Sequence, residues 1–137
     1  MGIVILKFSS KFERYLKDKS DSQSDWLLGY LLENMSGQGD INYYKKWLNS
    51  DNESFGGDNS LELQKDQVNI YITLAFDERQ FPDECEIPIS AFTKMLDDWS
   101  EILKQRPPYI VIIHDGASIT IQGYDQDPSN LFKKPTD

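Results

Sequence analysis

Residues Val68–Arg106 read VNIYITLAFDERQFPDECEIPISAFTKMLDDWSEILKQR, and within this stretch the hydrophobic period changes from two to that of a helix. Val68, Ile70, Ile72, Leu74 and Phe76 alternate with other residues, which predicts a strand with all five on one face. Beyond a polar loop, Asp77 to Asp83, the run Cys85 to Ile89 predicts a short strand whose Pro88 suits an edge or an end. Ser90 is then the expected cap of a helix on which Phe92, Met95, Leu96, Trp99, Ile102 and Leu103 share one face. Lys104 and Arg106 suit the negative end of its dipole, and Pro107-Pro108 ends it. A strand feeding an amphipathic helix in this way predicts an α+β fold.

The same reading extends in both directions. Upstream, Leu61 and Leu63 alternate, and a turn at Lys65-Asp66-Gln67 makes a hairpin with the 68–76 strand. Asn49 to Ser60 has no period and reads as a surface loop. Ile41, Tyr44, Trp47 and Leu48 predict a short helix capped by Asp40. Trp26, Leu27, Tyr30, Leu31 and Met35, widened by Leu28 and Leu32, predict a helix over 24–35. Gly2 to Phe8 is β-branched and apolar, a buried strand, and a short helix capped by Ser9 or Ser10 is expected through Lys19 on the spacing of Phe12, Tyr15 and Leu16. Downstream, Tyr109 to His114, the turn signal Asp115-Gly116 and Ser118 to Tyr124 predict a second hairpin with Ile119 and Ile121 inward. The expected architecture is one α+β domain over 1–124, with an antiparallel or mixed sheet, two β-hairpins and two to four helices. Residues 125–137 are expected to form a flexible tail with Leu131 and Phe132 as its apolar anchors.

The 137-residue chain is long enough for one core, and its longest apolar runs are far short of the ~18 residues a membrane-spanning helix needs. Cys85 is the only cysteine, so no intrachain disulfide forms. The start lacks the basic leader and small-residue cleavage site of a secretion signal, which predicts a cytoplasmic protein. Of the net charge of −9, residues 1–19 contribute +3 and residues 104–137 zero. Residues 20–103 carry 17 acids against five bases, for −12. A field of that sign repels nucleic acid and anionic membranes and steers basic macromolecules inward.

Catalytic sets are sparse in this sequence. His114 is the only histidine and stands before a turn with no serine or cysteine nucleophile in a recognisable elbow near it. Cys85 lies between Glu84 and Glu86, whose charges suppress the thiolate. Asp51 to Glu62 matches part of a calcium loop, but Phe55 takes a ligand position and a strand follows where a second helix is required. No phosphate-binding glycine pattern occurs, and neighbouring Asp97 and Asp98 point about 100° apart on a helix. No metal or cofactor is expected, and the chain is not expected to be an enzyme. A small enzyme using Cys85 or His114 is the minor alternative. The surface carboxylates remain: Asp77, Glu78, Asp83 and Glu84 on one stretch and Asp97, Asp98 and Glu101 on the next helix. These are expected to make one acidic partner-binding surface, with the loop bearing Asp51 and Glu53 as a second candidate.

The run Glu86-Ile87-Pro88-Ile89-Ser90 leading into the Phe92 to Leu103 helix, then Tyr109 to Ile113, Asp115-Gly116 and Ser118 to Gly123, resembles small bacterial immunity proteins of contact-dependent growth inhibition and related polymorphic toxin systems. The resemblance covers the C-terminal third and contains no diagnostic motif, so no contact residues carry over. It implies a cytoplasmic toxin inhibitor that binds a cognate toxin domain, often a basic nuclease, over its active site or another essential surface. A regulatory or adaptor module for a different basic protein is the other reading the residues allow.

Overall fold

The computed structural model describes residues 2–8, 14–18, 25–56, 61–74, 80, 84–115, 117–128 and 131. In chain order the elements are β1 (Gly2–Phe8), β2 (Arg14–Asp18), α1 (Asp25–Glu33), α2 (Gln38–Leu48), β3 (Ser54–Gly56), β4 (Leu61–Lys65), β5 (Asn69–Leu74), β6 (Glu84–Pro88), α3 (Ile89–Gln105), β7 (Tyr109–Asp115) and β8 (Ser118–Tyr124). The α+β class is as the two periods predict, but the strands make two sheets and not one. The first has the order β2-β1-β7-β8 and the second β3-β4-β5-β6, and every pairing is antiparallel.

The reason for two sheets lies in α1. Leu27, Leu31, Leu28 and Leu32 span an arc of about 140° around this helix, and all four are fully buried. An apolar arc wider than the ~100° stripe of a one-sided surface helix takes cover from more than one direction. It touches β1 and β2 of the first sheet and β5 and β6 of the second. α3 also touches both sheets, through β8, β5 and β6, and so the two helices join them. One core results, to which Leu6, Ile110, Ile112 and Ile119 come from the first sheet and Leu61, Leu63, Ile70, Ile72, Cys85 and Ile87 from the second. Trp99 stands in it with no exposed surface, and its indole N–H donates to the Met35 carbonyl at 2.9 Å. On the opposite face of the first sheet Ile5 and Val111, which are register partners, are buried as well. The middle of β1 and β7 is thus buried on both faces.

Several local expectations change. Arg14–Asp18, expected within a helix, is β2; β1 lies inside the sheet and needs a ladder partner on that side. The register slips between Ile5↔Asp18 and Leu6↔Leu16, which leaves one extra residue in β2 as a bulge. The expected capping residues Ser9 and Ser10, and Phe12, lie outside the described residues, as do Ala75 and Phe76. Ser54–Gly56, expected in a loop, is a strand on β4, because Phe55 packs beside Tyr44 and Trp47 at centroid distances of 4.8 and 5.5 Å. The β4–β5 turn runs later than expected, and Val68 belongs to it. This leaves Val68 65% exposed and not on the inner face with Ile70 and Ile72. The second hairpin forms, but Asp115 pairs with Ser118 as the last residue of β7, so the turn begins one residue later than expected; Gly116 lies outside the described residues. Leu131 is 70% exposed and no anchor, whereas Pro128 is buried.

Helix ends show the same competition. Asp40 is the third residue of α2 and not its cap, and its carboxylate reaches back to the amides of Ser36 and Gly37 at 3.0 and 3.3 Å. Ser90 is exposed inside α3; Pro88 is the N-cap, since β6 runs straight into the helix and the Ile89 amide donates to Val68 O at 2.9 Å. At the other end Arg106 takes a left-handed conformation, φ 50°, before the two prolines. β8 then passes so close to Pro107 that a Cβ on Gly123 would fall 2.6 Å from the proline Cγ.

The C-terminus of α2 is closed by a side chain from β4. Lys65 Nζ donates to the carbonyls of Trp47 (2.6 Å), Leu48 (3.2 Å) and Ser50 (2.6 Å), and sits 5.1 Å from the Trp47 ring. An ammonium there satisfies carbonyls that a helix end leaves open and meets the negative end of the dipole. Lys65→Met keeps the stem but not the charge, and it is expected to lower stability by about 1.5–3 kcal/mol in denaturant titration. A loss under ~0.5 kcal/mol, the range of ordinary surface substitutions, would show that water closes the helix equally well.

Candidate functional site

Alternation along β4, β5 and β6 sorts the second sheet into two faces. Leu61, Leu63, Ile70, Ile72, Cys85 and Ile87 point inward to the helices. The alternate residues Glu62, Gln64, Tyr71, Thr73, Glu84 and Glu86 therefore point outward. The register sets them in rows, Gln64-Tyr71-Glu86 and Glu62-Thr73-Glu84. Glu84 and Glu86 are exposed, and neither lies within ion-pair distance of a described lysine or arginine. The one base in these strands, Lys65, points the other way to close α2. The outer face is therefore acidic, with no described base to neutralise it.

Asp66 extends this charge to the hairpin end. One of its carboxylate oxygens accepts the amides of Val68 and Asn69 at 2.8 and 2.7 Å, and the other accepts the Tyr71 hydroxyl at 2.8 Å. The Asn69 and Val68 amides, then the Tyr71 hydroxyl, hold the Asp66 carboxyl below its ordinary 3.8, and the same bond raises the Tyr71 phenol above 10.0. Asn69 in turn donates to Glu86 at 2.9 Å. Because the folded state favours ionised Asp66, this stabilisation is complete above the unfolded carboxylate value and disappears as pH falls through the lower folded one. Tyr71 works in reverse, and its contribution is lost as pH rises through its raised value. An NMR titration is expected to place the Asp66 midpoint below 3.8 and to return the Tyr71 midpoint toward 10.0 in Asp66→Asn. An Asp66 midpoint at or above 3.8 would mean that the turn is open in solution.

The carboxylates anticipated from the sequence are divided by this geometry. Asp77, Glu78 and Asp83 lie outside the described residues. Glu84 is on the outer face, whereas Asp97, Asp98 and Glu101 are on α3, which packs against the inner face, so the sheet separates the two groups. Those three are also paired: Asp97 with Lys45 of α2 at 2.6 Å, Asp98 with Lys94 at 2.7 Å and Glu101 with Lys104 at 3.2 Å. Asp51 and Glu53 are exposed just before β3. Glu53 also borders a groove of about 570 Å³ with Lys65, Asp66, Gln67 and Val68, but the Lys65 ammonium and the Asp66 carboxylate are already engaged within the fold. Glu86, part of the acidic run over residues 77–86, joins the surface, and so do Glu62 and Asp66, which runs of charge along the chain do not single out. A signal for the two glutamates exists in the alternation, since each strand's polar positions follow once its inward positions are known.

Cys85 is buried in β6, while His114 is on β7 of the other sheet. The stretch considered as a calcium loop is interrupted by β3, which pairs Gly56 with Glu62, and residues 57–60 lie outside the described residues. Among the described residues no group of three or more His, Cys, Asp or Glu is placed to hold a metal ion, and no helix is long and apolar enough to cross a membrane. The fold and this surface define an α+β domain of two antiparallel sheets joined by helices, with one sheet face acidic. No family model, curated protein or solved structure matches the chain.

Proposed function

We propose that the protein is a non-catalytic binding protein, an immunity-type inhibitor that captures a basic toxin domain through a carboxylate-rich surface. The observation that carries this reading is the outer face of the second sheet, where Glu62, Glu84 and Glu86 share one side with no described base among them. Like charges held on a rigid sheet attract a basic protein over a distance of about one Debye length, ~10 Å at 0.1 M salt, and orient it before contact. The C-terminal resemblance to immunity proteins supports the choice of a toxin as the partner, and the charge of −12 over residues 20–103 supports a basic one.

The test is co-purification with the product of a neighbouring toxin-like gene at moderate salt, followed by a toxicity assay with and without this chain. A complex that forms and abolishes toxicity supports the reading. Absence of a complex overturns it. A complex with a different basic protein that has no toxicity would instead mark a regulatory or adaptor module.

A further inference from the structure

β6 ends the second sheet, and among the described residues no strand pairs with its other side. The hydrogen-bond phase shows which of its backbone groups face that side. The Ile89 amide donates to Val68 O, so Val68 and Ile89 form a hydrogen-bonded pair. In an antiparallel ladder such pairs recur every second residue, which makes Ile70↔Ile87 and Ile72↔Cys85 the next two. The Asp66 amide donating to Asn69 O supports this phase, because it turns Tyr71 and Thr73 toward β4 and leaves Ile70 and Ile72 for β6. The N–H and C=O groups of Glu84 and Glu86 therefore point outward from the sheet, and Pro88 adds a carbonyl but no donor.

We propose that this edge accepts an extended basic segment of the partner as a fifth strand of the second sheet. Residues of that segment opposite Glu84 and Glu86 exchange backbone hydrogen bonds with them and project their side chains to the same outer face. Lysine or arginine there makes cross-strand ion pairs, and the intervening residues turn toward the core side, where apolar side chains fit. The segment thus alternates basic and apolar residues. A second copy of this chain is a poor occupant. Any antiparallel self-pairing that uses the outward donors on both copies matches Glu84 or Glu86 with Glu84 or Glu86, which sets like charges directly opposite. The proposal rests on the reading of an acidic, partner-binding surface and specifies how that surface engages.

The experiment uses the full chain and a capped hexapeptide alternating lysine and valine. Binding is followed by NMR shifts, and the amides of Glu84 and Glu86 by hydrogen exchange. With saturating peptide both amides are expected to exchange at least about tenfold more slowly. The same peptide with its lysine backbone amides methylated is expected to bind more weakly and to give no protection. Glu86→Pro removes an outward donor while the bonds to β5 stay with Cys85 and Ile87, so it is expected to abolish protection at Glu84. Glu86→Gln, a variant with no backbone demand, keeps protection at weaker affinity. If the lysine peptide binds but leaves both amides unprotected, strand addition is wrong and the acidic-surface reading stands. If it does not bind, both are wrong. Equal protection by a glutamate-valine peptide would overturn the charge assignment.

Discussion

Trp99→Ala is expected to lower the stability of the protein by about 3–5 kcal/mol, the range for removing a large aromatic side chain from a closed core. Trp99 has no exposed surface and stands on α3 among side chains from both sheets. Its removal also leaves the Met35 carbonyl without the indole donor that binds it at 2.9 Å. The loss is therefore a cavity and an unsatisfied acceptor at the point where α3 meets the chain leaving α1. Trp99→Phe refills most of the space and is expected to cost distinctly less. Denaturant unfolding of the three proteins tests this. A loss below ~1 kcal/mol for the alanine variant would place Trp99 outside the core.

The second large effect concerns association. Reversing Glu84 and Glu86 to Lys is expected to slow association with a basic partner on the order of tenfold or more at low salt and to flatten its salt dependence. Reversing Asp97 and Asp98 to Lys is expected to do much less, because Lys45 and Lys94 already offset those charges. The α3 reversal also sets like charges where Asp97 and Lys45 formed an ion pair, though exposed pairs of this kind contribute only ~0–1 kcal/mol. Stopped-flow mixing with the toxin-like gene product at two ionic strengths separates the surfaces. An unchanged rate for the β6 variant and a slowed one for the α3 variant would move the binding surface to the helix.

That contrast shows how the site was legible only in part. Counting charges along the chain finds the acidic stretches, and Glu84, Asp97, Asp98 and Glu101 are surface carboxylates as expected. Adjacency in sequence does not carry over to space here, because β6 and α3 are consecutive and yet α3 folds back onto the inner face of the sheet that contains β6. Glu62 comes from β4, far from Glu84 and Glu86 in the chain, and yet faces the same way, because the ladders through β5 align the outward positions of all three strands. The neutralising lysines were equally out of sight. Lys45 reaches Asp97 from a different helix, and Lys65, formally a base in the middle of the acidic sheet, is withdrawn to the end of α2.

The sequence by itself determined the α+β class, the two principal hairpins, the three helices and the burial of Trp99, since each of these follows from a local hydrophobic period that water enforces wherever the segment lies. Tertiary structure alone decided that Arg14–Asp18 is a strand and not a helix, because β1 needed a second ladder partner and the weak local spacing of Tyr15 and Leu16 could not outweigh its unsatisfied amides. It alone decided that the strands form two sheets, because the wide leucine arc of α1 is covered by surfaces of both, brought from distant parts of the chain. The division of the carboxylates between two surfaces follows from the same packing, since a strand's alternation states which residues share a face and only the core states which face meets the solvent.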